Sequence, residues 1–394
     1  MLVRPFRLNE AWWAAAGALA LIATRAVAPA QALHALARGV DVYLFLIGMM
    51  ALAEFAREEG VFSWVATHAV SAAGDSRLRL FGLVYAAGIV TTAFLSNDAT
   101  IVVLTPAVIA ALAKTDASPE PYVVACAFVA NAASTLLPIA NPSNLLFFAD
   151  GMPPLRFWVV SFGLASLASI ALTYGVLGFV FRVTLRPPLC INDGDGSPPR
   201  RVAVLTLLLA AGVLIATASD AGQLGAVACA LGVFAALVAM TRERRAPLAM
   251  ARGVAWPIVV LTAGLFVIVE ALDTGGVATL PHSLFTWAAH QEAPLAKLAV
   301  AAAAAFASNV VNNLPVGLEL GKYVGSAHPP AALSAAALVG VNVGPNFTAN
   351  GSLATLLWLA ILRRAGIAIS PLRFAAIGFV VTPLALIVAA LLAT

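Results

Sequence analysis

The sequence predicts an all-α polytopic membrane protein built from two inverted-topology repeats. Each repeat carries a re-entrant helical hairpin and an interrupted transmembrane helix, giving about 9–10 spans plus two hairpins. Three observations predict this. The 394 residues are 62% hydrophobic and only 10% charged, too little charge to cover a soluble globule of this size. Apolar runs of about 17–25 residues, the length that crosses a hydrocarbon core of roughly 30 Å, recur along the whole chain. Segments from the two halves also match at a constant spacing.

In chain order, full spans are expected at 11–30, 40–56, 121–149, 156–181, 202–218, 223–240, 254–271, 331–362 and 373–392. The start of the chain has the look of a secretory signal with "AVA" as a cleavage site, but the repeat requires this segment to be retained. Two further apolar stretches, 79–114 and 294–322, are interrupted by polar residues. Their arms of about 15 residues reach roughly 22 Å at 1.5 Å per residue, short for a crossing, so each is expected to enter and leave on one side. The longest polar stretch is Arg182–Arg201, which leaves no room for a soluble domain. The expected organisation is a first inverted repeat at 1–181 (hairpin 79–114, broken helix 121–149) and a cytoplasmic loop with linking helix at 182–222. A second inverted repeat follows at 223–394 (hairpin 294–322, broken helix 331–362).

Orientation follows from the basic residues. With the N-terminus in the cytoplasm, only Arg25, Arg38, Arg156, Lys297 and Lys322 fall outside, against 17 Lys and Arg inside, from Arg4 and Arg7 to Arg363, Arg364 and Arg373. The positive-inside rule then puts the N-terminus of this multi-pass chain on the cytoplasmic side of its membrane. The loop 272–293 has no Lys or Arg, as an external loop permits. The net charge of +4 sits in these loops and implies no nucleic-acid partner.

The repeat is carried by "GMMALAEFAREEGV" (48–61) and "GLFVIVEALDTGGV" (264–277), which share Gly48/Gly264, Glu54/Glu270, Gly60/Gly276 and Val61/Val277 at an offset of 216. "FLSN" (94–97) resembles "FASN" (306–309), and "ANPSNLL" (140–146) is echoed by "ANGSLATLL" (349–357). Inverted repeats with broken helices are an architecture of secondary transporters that bind their solute near the midplane.

Polar backbone inside a bilayer survives only where it lines a cavity or is buried in protein. Four interruptions qualify: Ser96-Asn97-Asp98, "NAASTLLPIANPSN" (131–144), "SNVVNNLP" (308–315) and "GVNVGPNFTANGS" (340–352). Pro138, Pro142, Pro315 and Pro345 break the helical ladder there. If the four meet, they form a pocket of amides and hydroxyls. The expected substrate-binding residues are Ser96, Asn97, Asn131, Asn141, Ser143, Asn309, Asn312, Asn313, Asn342, Asn350 and Ser352. Such groups donate and accept hydrogen bonds, which suits a neutral polyhydroxy solute or a weakly charged oxyanion. The pocket has no Arg or Lys to hold a multivalent anion. The bland alternative for the same residues is interhelical glue.

Asp98 is the one acid deep in an apolar segment, since Asp41, Glu54 and Asp273 sit near helix ends. A carboxyl placed inside a membrane is costly, so function is the default reading, here a proton carrier; the alternative is a carboxylate that caps the hairpin tip or pairs locally. Glu319 is expected to pair locally with Lys322. Cys126, Cys190 and Cys229 are scattered, with no metal or redox spacing. His34, His68, His282, His290 and His328 read as lying in loops or close to them, and the tryptophans mostly as interfacial belts. No ATPase, hydrolase or zinc motif is present, so no cofactor is expected and the chain is not read as an enzyme.

These motifs resemble the arsenite efflux pumps of the ArsB type, within the ion transporter superfamily that includes dicarboxylate and sodium/proton carriers. The resemblance covers essentially the whole chain. It rests on "FLSNDATIVVLTP" (94–106), "NAASTLLPIANPSN", "AWPIVVLTAGLF" (255–266), "NNLP" (312–315) and "GPNFTANGSLATLLWLAILRRAG" (344–366). It implies export of arsenite and antimonite, as As(III) and Sb(III) hydroxides, in exchange for protons. In some systems a soluble arsenite-stimulated ATPase is a partner. Some members carry acids at the positions of Asn131 and Asn342 and a Lys at that of Asn346, which leaves Asp98 as the coupling candidate. A sodium- or proton-coupled carrier of another anion or cation is the competing expectation. An intramembrane protease using Asp98 lacks a second well-placed aspartate.

Overall fold

The fold is taken from a computed structural model that describes residues 10–149, 151–191, 201–217, 224–243, 254–274 and 279–394. Arg4, Arg7, Arg200, Arg244, Arg245, Arg252 and most of the loop before residue 201 lie outside the described residues. The described chain is helical. It runs α1 (Glu10–Ala23), α2 (Pro29–Arg38), α3 (Val40–Glu58), α4 (Val61–Ala73) and α5 (Arg77–Phe94). A helix then starts at α6 (Asn97–Ala99), passes through a π turn at Thr100–Leu104 and ends as α7 (Thr105–Leu112). The first half closes with α8 (Glu120–Ala132), α9 (Pro142–Phe147), α10 (Leu155–Val180) and the short α11 (Arg182–Leu185). After α12 (Arg201–Thr217) come α13 (Leu224–Glu243), α14 (Trp256–Thr274), α15 (Thr279–Ala289), α16 (Ala293–Val311) and α17 (Asn313–Ala327). The chain ends with α18 (Ala331–Val343), a 3₁₀ turn at Gly344–Phe347, α19 (Leu353–Arg364) and α20 (Pro371–Leu392).

Five described helices are long and apolar enough to span a bilayer, six when α2 and α3, bent by 45° at Gly39, count as one. The other described apolar helices have 10–17 residues. The run 11–30 stops at Ala23, while 121–149 and 331–362 are each cut in two, as expected of broken helices. The first arms of the hairpins depart from expectation. α5 has 18 residues and α16 has 19, longer than the sequence suggests. α4 and α15 are helices where loops were expected, because helices of 13 and 11 residues are too short to register as spans.

The halves keep step along the chain. α3 and α14, α5 and α16, and α10 and α20 each begin 216 residues apart, while α8/α18 and α9/α19 begin 211 apart. The halves also exchange partners, since α13 packs along α3 and α1 along α14. Gly48 and Gly264 explain why glycine recurs at the repeat. A Cβ on Gly48 would lie 2.2 Å from the Ala228 carbonyl oxygen, and one on Gly264 would lie 2.9 Å from that of Ala14. Small residues let helix backbones approach this closely in a membrane.

Two tryptophans depart from the expected belt. Trp158 and Trp358 are wholly buried, and their indole N–H groups donate to Thr135 O (2.9 Å) and Val123 O (3.0 Å), the satisfaction a buried indole requires. His34, His68 and His282 lie on helices rather than in loops, with exposed side chains. Lys322 pairs with Glu270 across helices (3.0 Å), a bridge from α17 to α14. Its repeat counterpart Glu54 pairs with Arg57 on its own helix.

Candidate functional site

The site is assembled from four helix starts. At the first hairpin tip, Ser96 takes φ 129° and ψ 163°, and its Oγ accepts from the N–H of Ala99 (3.3 Å) to cap α6. At the second, Asn312 takes φ 87° and ψ 151°, and its Oδ1 accepts from the N–H of Leu314 (3.2 Å) to cap α17. This backbone region is essentially reserved for glycine, so both tips are strained alike. In the broken helices, Asn141 Oδ1 accepts from Ser143 N (3.0 Å) to open α9, and Ser352 Oγ accepts from Ala354 N (3.2 Å) to open α19.

These geometries correct the register of the repeat. Ser96 corresponds in conformation to Asn312, Asn97 to Asn313 and Asp98 to Leu314, while Ser308 and Asn309 sit one turn before the tip, inside α16. The offset of 216 from Gly48/Gly264 runs unchanged through the tips. The shared "SN" dipeptides obscured it. Likewise Asn141 matches Ser352 as a cap, rather than Asn350.

The first residues of the four helices line one narrow crevice: Asn97 and Asp98, Asn141 and Pro142, Asn313 and Leu314, and Ser352, Leu353 and Ala354, with Ile258 of α14 closing it. Its volume of ≈ 10 Å³ holds about one water molecule, so the crevice is narrow. Helix N-termini present unpaired N–H groups and partial positive charge. The lining holds amides, a hydroxyl, one carboxyl and no Lys or Arg. Asn97 Oδ1 is buried and has no hydrogen-bond partner.

Of the expected binding residues, the structure therefore gathers Asn97, Asn141, Asn313 and Ser352 beside Asp98, with Ser96 and Asn312 as caps at the rim. It turns the others elsewhere. Asn131 donates to Asn346 Oδ1 (2.9 Å), and Asn346 donates to Phe128 O (3.0 Å). Asn342 Oδ1 accepts from Asn141 Nδ2 (2.7 Å) and Ser143 Oγ (3.0 Å), while its Nδ2 donates to Asn144 Oδ1 (2.9 Å) and Leu338 O (3.1 Å). Asn309 donates to Ala305 O and Gly344 O (both 2.8 Å) and accepts from Thr348 Oγ1 (2.7 Å). Asn350 contributes its backbone carbonyl, 3.5 Å from Asn312 Nδ2. Sequence reasoning missed Pro142, Ile258, Leu314, Leu353 and Ala354. Four of these are first- or second-turn positions following a cap, which is the signal that would have found them. Among the described residues no cluster of His, Cys, Asp and Glu is arranged to hold a metal ion.

A narrow crevice at converging broken helices inside a bundle of apolar helices suits a membrane transporter. The family model described as "Citrate transporter" (CitMHS) matches residues 2–343, and the chain belongs to that family. It is 27% identical over 392 residues to the arsenical pump membrane protein of Escherichia coli K12, covering 93% of this chain and 89% of the relative. Identity to the arsenical pump membrane protein of Yersinia enterocolitica is 29% over 336 residues, covering 79% and 76%. A transporter of Mycobacterium tuberculosis H37Rv, Rv2684, is 26% identical over 424 residues, covering 99% and 94%. In fold, the chain is similar to the Alcanivorax borkumensis YdaH transporter, whose structure is described as having an unusual topology. The TM-score is 0.59 at 16% identity, covering 91% of this chain and 85% of that one.

Proposed function

We propose that the protein exports trivalent arsenic and antimony hydroxides from the cytoplasm in exchange for protons, by alternating access between two inverted repeats. The observation that carries the reading is the crevice of four helix starts, with amide and hydroxyl groups, one carboxyl and no basic side chain. The oxygens of arsenous acid accept from helix-start N–H groups, and its hydroxyls donate to Asp98 and to Asn97 Oδ1. A thiol cage would bind trivalent arsenic too tightly for turnover. Cys126 is buried, Cys229 half-buried and Cys190 exposed, on separate elements. Asp98 is the proton carrier, because proton and solute compete for the same carboxylate oxygens. Asn97, Asn313 and Ser352 are the side chains assigned to the solute.

The orientation belongs to the same proposal. Ion pairs Arg77–Asp116 (2.8 Å) and Arg373–Glu120 (2.8 Å) gather the starts of α5, α8 and α20 at one end of the bundle. This is the end the positive-inside rule assigns to the cytoplasm. A second reading, a coupled carrier of a carboxylate, is favoured by the family description and by the positive potential of the helix starts.

The test is uptake of arsenite or citrate into inside-out proteoliposomes with an acidic lumen. The expected result is arsenite accumulation without added ATP, reduced ~100-fold in Asp98→Asn at normal expression and fold. Accumulation of citrate but not arsenite would replace the substrate with that of the second reading. Normal accumulation by Asp98→Asn would remove the coupling role.

A further inference from the structure

The two hairpins are repeat equivalents, but only one is fastened. The second tip is tied to the break of its own half. Asn309 bonds Gly344 O and Thr348 Oγ1, Asn313 N–H donates to Gly351 O (3.0 Å), and Asn312 reaches Asn350 O. Its returning arm α17 is further held to α14 by Lys322–Glu270. The first tip has none of this. Among the described residues, Ser96, Asn97 and Asp98 make hydrogen bonds only to their own hairpin, none of them to residues 131–147.

Two further features single out the first hairpin. Its returning arm passes through the π turn Thr100–Leu104, where Thr105 N–H bonds Thr100 O, five residues back. Pro106, which has no N–H to offer Val102, sits at the end of that turn; π turns inside α-helices mark functional sites. α17 has no such turn. Behind the first tip lies an apolar gap of ≈ 680 Å³, walled by Thr91, Phe94 and Leu95 of the hairpin, Phe62 of α4, and Ala211 and Gly212 of α12. In a bilayer fluid acyl chains fill such a gap and yield to a moving side chain, as close-packed protein does not.

We propose that hairpin 1 alone is the gate of the crevice. Its tip withdraws from the crevice into the gap against α12, bending at the π turn, while hairpin 2 and the two broken helices stay together as a fixed wall. The base of hairpin 1 is the pivot, because Arg77–Asp116 joins its two ends, and Leu189 N–H to Asp75 O (2.7 Å) and Asp116 N–H to Cys190 O (3.2 Å) tie both to the segment after α11.

The test is hydrogen–deuterium exchange of the protein in lipid nanodiscs with no solute added, so its outcome is independent of the substrate. Protection factors across Ser96–Ala99 are expected to be lower than across Asn312–Leu314 by ~10-fold or more, the signature of local opening. Ala211→Phe, which fills the gap from the wall opposite the hairpin, is expected to raise protection of the first tip by ~3-fold or more and leave the second unchanged. Val204→Phe enters the same gap and serves if Ala211→Phe fails to fold. Equal protection of the two tips, greater opening at the second, or a filled gap without effect on the first would each overturn the proposal.

Discussion

At the breaks of α8 and α18, the side chains of Asn141, Ser143 and Asn144 bond that of Asn342 across the two halves. A few residues away, at the helix starts, Asn97 carries a buried carbonyl oxygen with no partner and Asp98 stands beside it in the crevice. Residue type and depth are the same in both groups; what differs is whether the protein itself satisfies the polar group. A buried amide with all its bonds made holds the bundle together, whereas the open one beside Asp98 is, under the proposed function, the one that meets the solute. Asparagine at an interrupted helix is therefore structural or functional according to its partners.

The largest effect that would break this distinction belongs to Asn342. Its side chain makes four bonds, and membrane hydrogen bonds average roughly 0.6 kcal/mol. Asn342→Ala is expected to lower stability by about 2–3 kcal/mol, read as a fall in melting temperature in detergent, with the affinity of what folds unchanged. Loss of solute affinity at unchanged stability would move Asn342 into the binding group. Asn97→Ala is the converse. It removes no satisfied bond of Oδ1, so the melting temperature should stay put while solute affinity falls ~10-fold, or about 1.4 kcal/mol. A destabilised protein with normal affinity would contradict that.

The sequence made the membrane class and the two broken helices legible, because apolar length and intramembrane proline act locally. It also revealed the repeat, since close contacts at Gly48 and Gly264 admit no side chain. The register at the tips was less legible. "SN" recurs at 96–97 and 308–309, but the strained cap of the second hairpin is Asn312, and cap geometry rather than residue identity defines the equivalence. The division of the asparagines was not legible at all. The partners of Asn131, Asn141 and Asn144 lie about 200 residues away, and nothing within either segment specifies them. Asp98 was found because an unpaired acid in an apolar run is conspicuous whatever surrounds it.

The smallest effect sharpens the comparison at the far end of hairpin 1. Asp116 is a polar group with its partners supplied: the backbone N–H of Cys190 (2.9 Å) and the guanidinium of Arg77 (2.8 Å). By the same logic it should matter to stability and not to the solute. The Cys190 N–H, followed by Arg77, holds its carboxyl below the usual carboxylate range. A depressed folded-state value stabilises the fold above the unfolded value of about 3.9 and loses that contribution as pH falls through the folded one. Asp116→Asn should therefore lower the melting temperature slightly at pH 7, and the difference from wild type should shrink towards pH 3. The pH dependence of transport between 6 and 8 should be the same in both proteins, since Asp116 stays ionised throughout. A shifted transport profile would place Asp116 in the proton path and end its assignment as a clasp.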